Sequence, residues 1–166
     1  TQLHAELHAV PSYATCFISG GPIPVLLNAG VDGKISVWNA RLRTVVSKIT
    51  YNKKNPSAYL SAASCPTKPI AALGSADGVL RILYVGGTAE DVAVKCIYRC
   101  KIANGAITSL LYHPQKPLLA AVSLSERQVF FIDSRADEKI RVVGVATLPE
   151  NANPNTTTTT NTKTMT

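Results

Sequence analysis

The sequence is poor in acids and, for most of its length, poor in charge. Only 10 of its 166 residues are Asp or Glu against 17 Lys or Arg, a formal net charge of +7. From Gly33 to Ala76 there are seven basic residues (Lys34, Arg41, Arg43, Lys48, Lys53, Lys54 and Lys68) and no acid. Charged residues make up 16% and apolar residues 46%, a balance that favours a buried core. No apolar run reaches the ~18 residues that suggest a membrane span, and no basic start precedes an apolar signal core. The expectation is a soluble intracellular domain.

Cysteine is scarce as well, and the four present have no metal-ligand or scaffold spacing. Cys96 and Cys100 are expected on one face of one strand, about 13 Å apart, too far for a disulfide or a shared metal. Cys16 and Cys65 belong to apolar strand surroundings and read as small buried hydrophobes. His4, His8 and His113 come from separate parts of the chain. No phosphate-binding GxxxxGK[ST] or GxGxxG segment occurs around Gly20-Gly21 or Gly86-Gly87. Ser123 and Ser125 lack a nucleophile elbow, and Glu126, Asp133, Asp137 and Glu138 read as turn or solvent-facing acids. These absences argue against an enzyme, a cofactor and a resident metal.

What is present is a pattern repeated three times: Pro24 to Asn39 (PVLLNAGVDGKISVWN), Pro69 to Tyr84 (PIAALGSADGVLRILY) and Pro117 to Asp133 (PLLAAVSLSERQVFFID). In each, a proline opens an apolar strand, small residues follow, an acid marks a tight turn, and a second strand ends in a bulky apolar residue. Asp32 and Asp77 lie 45 positions apart and Glu126 follows Asp77 by 49, a period typical of four-stranded repeat units. Asp-Gly between apolar runs predicts a tight hairpin. Ser125-Glu126-Arg127 predicts a longer or differently shaped turn in the third copy.

The pattern predicts four strands per copy: Thr15 to Ser19, Val25 to Ala29, Lys34 to Asn39 and Thr44 to Tyr51; Ala58 to Ser64, Pro69 to Gly74, Val79 to Val85 and Ala93 to Ile102; Ile107 to Tyr112, Leu118 to Ser123, Gln128 to Ile132 and Ile140 to Thr147. Central runs such as AALGS and LLAAVS, apolar on both faces, suit sheets packed between neighbours.

These positions resemble the WD-repeat family. Trp38-Asn39 stands where that family places its Trp-Asp pair, with Leu83-Tyr84 and Ile132-Asp133 as degenerate equivalents. His8 precedes Asp32 by 24 residues, so the resemblance implies a structural hydrogen-bonded set of His8, Asp32 and Trp38, with Gly33, Asp77 and Gly78 as further structural turn residues. Asn52 to Pro56 and Asn104-Gly105 stand in the loops where the other copies have no such histidine. Trp38 is expected in the core of the first unit. The implied fold is all-β: three four-stranded blades of a WD-repeat-like β-propeller, residues 12–51, 57–102 and 105–148. Three blades do not close a ring, so the chain is expected to be a fragment of a larger propeller. Residues 1–11, with Leu3, Ala5, Leu7 and Ala9 alternating, read as a preceding outer strand or an irregular arm. Residues 149–166 read as a Thr/Asn-rich disordered tail or linker.

Alternation along the second outer strand places Lys95, Arg99 and Lys101 on one side, opposite Val94, Cys96, Tyr98, Cys100 and Ile102. Lys48, Lys139 and Arg141 are expected to join that basic side. Two readings follow: protection of exposed strand edges against unwanted pairing, or docking of an acidic partner. The resemblance implies a noncatalytic protein-interaction scaffold within a large eukaryotic assembly. Its cytoplasmic setting extends to the cytoskeleton of a cilium or flagellum, where the partner is another protein subunit or an acidic microtubule surface. The alternative is a ribonucleoprotein or ribosome-assembly platform whose basic rim meets RNA. No amphipathic helix or lipidation motif points to a membrane.

Overall fold

A computed structural model describes residues 10–18, 20–21, 23–88, 91–135 and 140–149. Twelve strands run in order: β1 (Ser12–Ile18), β2 (Val25–Gly30), β3 (Lys34–Asn39), β4 (Thr44–Thr50), β5 (Tyr59–Ser64), β6 (Ile70–Ser75), β7 (Val79–Gly87), β8 (Val92–Lys101), β9 (Ser109–Tyr112), β10 (Leu118–Ser123), β11 (Gln128–Asp133) and β12 (Arg141–Thr147). They form three antiparallel four-stranded sheets, each a meander in chain order. No helix occurs among the described residues.

β1 packs beside β5 and β5 beside β9, so the second sheet lies between the first and the third. Its two faces therefore meet two different cores. Val25, Leu27, Ile35 and Val37 of the first sheet bury against Ala71, Leu73, Leu83 and Val85 of the second. On the other side, Ala72, Leu80 and Ile82 bury against Leu119, Ala121, Phe130 and Ile132 of the third. This explains the sequence of β6, IAALGS, in which all six residues are buried: a strand covered on both faces has no position for a polar side chain to reach water.

The turns also join neighbouring sheets. Gly33 (φ 72°) and Gly78 (φ 76°) take the left-handed conformation of the Asp-Gly hairpins. A Cβ on Gly33 would meet Pro56 Cβ at 2.7 Å, and one on Gly78 would run into the Ala103 carbonyl. Each turn thus rests on the loop leading into the next sheet. Backbone N–H groups of Ile102 and Ala103 donate to the Gly78 carbonyl, and that of Ile107 to Ser75. In the third sheet the turn spans Leu124 to Arg127, with Arg127 at φ 56°, which is the different shape expected without Asp-Gly.

Each outer strand carries an irregularity at the same repeat position, between Val37 and Trp38, between Ile82 and Leu83, and between Phe131 and Ile132. One extra residue, Val46, Ile97 or Val143, stands opposite each step. A bulge shifts side-chain alternation by one, so residues before and after it point to opposite faces for the same parity.

Candidate interaction site on the outer strands

The basic residues proposed from sequence lie on these bulged strands. Lys48, Lys95, Arg99, Lys101 and Arg141 are all exposed, whereas Lys139 lies outside the described residues. They do not form one side. Lys48 pairs with Ser36 and Arg99 with Arg81, equivalent positions on one kind of face, and Lys101, opposite Val79, joins Arg99. Lys95 opposite Tyr84 and Arg141 opposite Asp133 hold the other equivalent position, on the opposite kind of face. The bulge at Ile97 corrects the expected alternation: Val94 and Cys96 join the core shared with the first sheet, Tyr98 and Ile102 the core shared with the third. Cys96 and Cys100 consequently face opposite ways, opposite Leu83 and Leu80, rather than sharing a face.

Two of the turn acids, Asp77 and Glu126, perform a different task, holding the loop that precedes the first strand of their own sheet. Asp77 accepts from Ser75 Oγ at 2.6 Å and from the Ser57 side chain. Burial raises its pKa, but the hydrogen bonds from Ser75, Ser57 and the backbone N–H groups of Asp77 and Val79 outweigh that and leave it below the ordinary value. Glu126, one methylene longer, reaches the backbone N–H groups of Asn104 and, at 2.9 Å, Gly105. Asp32 accepts from the Lys34 N–H at 3.1 Å and pairs with Lys34 Nζ at 3.0 Å. His8, expected beside Asp32, lies outside the described residues. Ser57 and Glu126 were missed as loop ties because neither matches a histidine in type; their signal was position relative to the turn.

Trp38 is half-buried, not enclosed in a core, and its buried Nε1 finds no hydrogen-bond partner among the described residues. Its equivalents Leu83 and Ile132 are 0% exposed because each faces a preceding sheet. Asn39 beside it caps the next turn, its Oδ1 accepting from the N–H groups of Arg41 at 2.9 Å and Leu42 at 3.1 Å.

One buried charge was not singled out in the sequence. Arg81 is 3% exposed, its Nε and Nη1 make no hydrogen bond among the described residues, and its Cζ lies 5.8 Å from the Tyr51 ring centre and 5.6 Å from that of Tyr59. The two ring faces supply cation–π attraction where a carboxylate would otherwise be needed. Burial pushes the Tyr59 hydroxyl up to about 12 against the opposing pull of Arg81. It also pushes the Cys16 thiol up to about 12 and raises Cys96, holding both sulfurs protonated and unsuited to thiolate chemistry. Among the described residues no group of three or more His, Cys, Asp or Glu side chains converges as a metal site.

The scan against protein-family models matches none, and no curated protein matches the chain. The site therefore rests on its geometry: exposed cations on three bulged outer strands, divided between two faces.

Proposed function

We propose that the three sheets are consecutive blades of a WD-repeat-like β-propeller and that the chain is a noncatalytic scaffold docking its basic outer strands on an acidic protein surface. The partner setting is a large cytoplasmic assembly, with the microtubule surface of a cilium or flagellum as the first candidate. The observation that carries this reading is the exposure of Lys48, Arg99 and Lys101 on equivalent sides of neighbouring outer strands. Such cations gain little singly, about 0 to 1 kcal/mol each, and act as a set.

The test compares two charge reversals in the full chain, Lys48→Glu/Arg99→Glu/Lys101→Glu and Lys95→Glu/Arg141→Glu, by co-sedimentation with microtubules and with a homopolymeric RNA. The first variant is expected to lose microtubule binding on the order of tenfold or more while keeping its unfolding transition; the second is expected to lose less. Unchanged microtubule binding by both folded variants leaves edge protection as the role of these cations. Loss of RNA binding alone turns the reading to a ribonucleoprotein platform.

A further inference from the structure

The seam between the first and second sheets encloses a guanidinium whose hydrogen-bonding capacity is unmet. Arg81 of β7 is almost fully buried, and its Nε and Nη1 make no hydrogen bond among the described residues. The Tyr51 and Tyr59 rings beside its Cζ attract the charge but leave its in-plane N–H donors unanswered. Arginine carries five such donors, and buried ones are ordinarily satisfied. Among the described residues no carboxylate pairs with Arg81. The four strands of the first sheet contain no acid to offer it, and Asp77, at the head of the Arg81 hairpin, is held by Ser75 and Ser57.

A second cation stands directly across the β7/β8 pair. Arg81 is paired with Arg99, and residues so placed share a face with Cβ atoms about 5 Å apart, where like charges repel. Cys96, half-buried in the same seam, lies within electrostatic reach of both guanidinium groups. Lys101 follows Arg99 on that face and is exposed, as Arg99 is. Tyr51, one of the two rings covering Arg81, is itself only half-buried, so rotation of that one side chain opens the guanidinium to a ligand. Burial, and secondarily Cys96, raises the Tyr51 pKa against the pull of Arg81. Its hydroxyl therefore stays protonated near neutral pH and can donate.

We propose that this seam is an anion site that takes a phosphate dianion against the guanidinium groups of Arg81 and Arg99. A planar carboxylate has two oxygens for these donors, whereas a phosphate presents a tetrahedral array that two arginine forks and a phenol can share. Its double charge offsets both arginines and supplies the counter-ion that a buried cation requires. Inorganic phosphate and a phosphate monoester carry the same group, and the width of the seam decides between them. The site is independent of docking on an acidic protein surface: Arg81 does not belong to that set of cations, and either reading can fail while the other stands.

The experiment titrates the full chain with inorganic phosphate and, separately, with phosphoserine, while sodium chloride holds the ionic strength constant. Two signals are followed: the unfolding temperature, and the Arg81 Nε–Hε resonance in a nitrogen–proton NMR spectrum, assigned through the residue's own backbone. Wild type is expected to show a saturable rise in the first and a saturable shift of the second. Arg99→Gln is expected to weaken phosphate binding about tenfold, and Lys95→Gln, on the opposite kind of face, to leave it unchanged. Arg81→Met is expected to lose the response. Saturation by both ligands, or by one, supports the site and identifies the source of its phosphate. A wild-type Arg81 resonance and unfolding temperature that ignore both ligands overturn the proposal and leave ordered water as the partner of the buried N–H groups. A response that Arg81→Met retains overturns it as well, since surface cations alone would then bind the anion. Should Arg81→Met not fold, the wild-type resonance decides: a phosphate-dependent rise in unfolding temperature without a shift at Arg81 has the same overturning force.

Discussion

The second sheet and its two neighbours are built on the same repeat, yet they answer to different surroundings. β6 is buried at every position, whereas β10 of the third sheet alternates half-buried and buried residues. At one repeat position stand Leu83 in the middle sheet and Trp38 in the first; the smaller side chain is fully enclosed and the larger is not. Position in the stack, not residue size, therefore decides how much each contributes to stability.

The largest expected effect tests that statement. Leu83→Ala should cost about 2 to 5 kcal/mol, the range for a buried leucine, and should exceed Trp38→Ala, whose half-exposed ring forfeits less burial and whose removal also relieves an indole N–H with no hydrogen-bond partner among the described residues. Urea unfolding of the monomer measures both; a larger loss for Trp38→Ala would break the comparison. A glycine pair sharpens it. Gly78→Ala imposes a left-handed backbone on alanine, costing about 1 to 2 kcal/mol from this alone, and drives the new methyl into Ala103. Gly144→Ala on the open third sheet meets only Phe131 Cδ2 at 3.7 Å, an ordinary contact, and should stay within about 0.5 kcal/mol of wild type. Equal losses would show that the end sheets are as tightly constrained as the middle.

The smallest effect is acid dependence. Asp77 has a native pKa below its ordinary value of 3.8, so its contribution is complete above that value and is lost as pH falls through the lower native one. Asp77→Asn should flatten the decline of stability below about pH 4. Asp133, held low chiefly by its hydrogen bonds from the exposed Arg135, with burial opposing, follows the same sign. Its effect should be weaker and should shrink with added salt. Unfolding curves at several acid pH values, at low and high salt, distinguish the two; indistinguishable slopes for the two Asn variants would sink the contrast.

Much of the fold was legible because the repeat states it redundantly. The prolines, the Asp-Gly turns and the apolar runs fix Lys34–Asn39 and Leu118–Ser123 at the expected residues. β1 begins three residues before its expected start because Ser12 Oγ bonds Asn28 Oδ1 at 2.6 Å and the Ala29 carbonyl at 2.8 Å, contacts that no local pattern announces. The candidate site was legible in composition and exposure but not in orientation. Simple alternation assigned Lys95, Arg99 and Lys101 to one side, and a single inserted residue, Ile97, divides them. A bulge lacking glycine leaves little trace in sequence, since a hydrophobic extra residue such as Val46, Ile97 or Val143 preserves the strand's composition.

The seating of each Asp-Gly turn on the following loop bears on the order of assembly during synthesis. The Gly78 carbonyl that receives Ile102 and Ala103 lies more than twenty residues earlier in the chain, in a hairpin whose second strand ends at Gly87. Each finished sheet thus offers a backbone template to the segment emerging next, and contacts between consecutive sheets require no residue still inside the ribosome. The polypeptide is suited to vectorial folding, adding one sheet at a time from its N-terminal side.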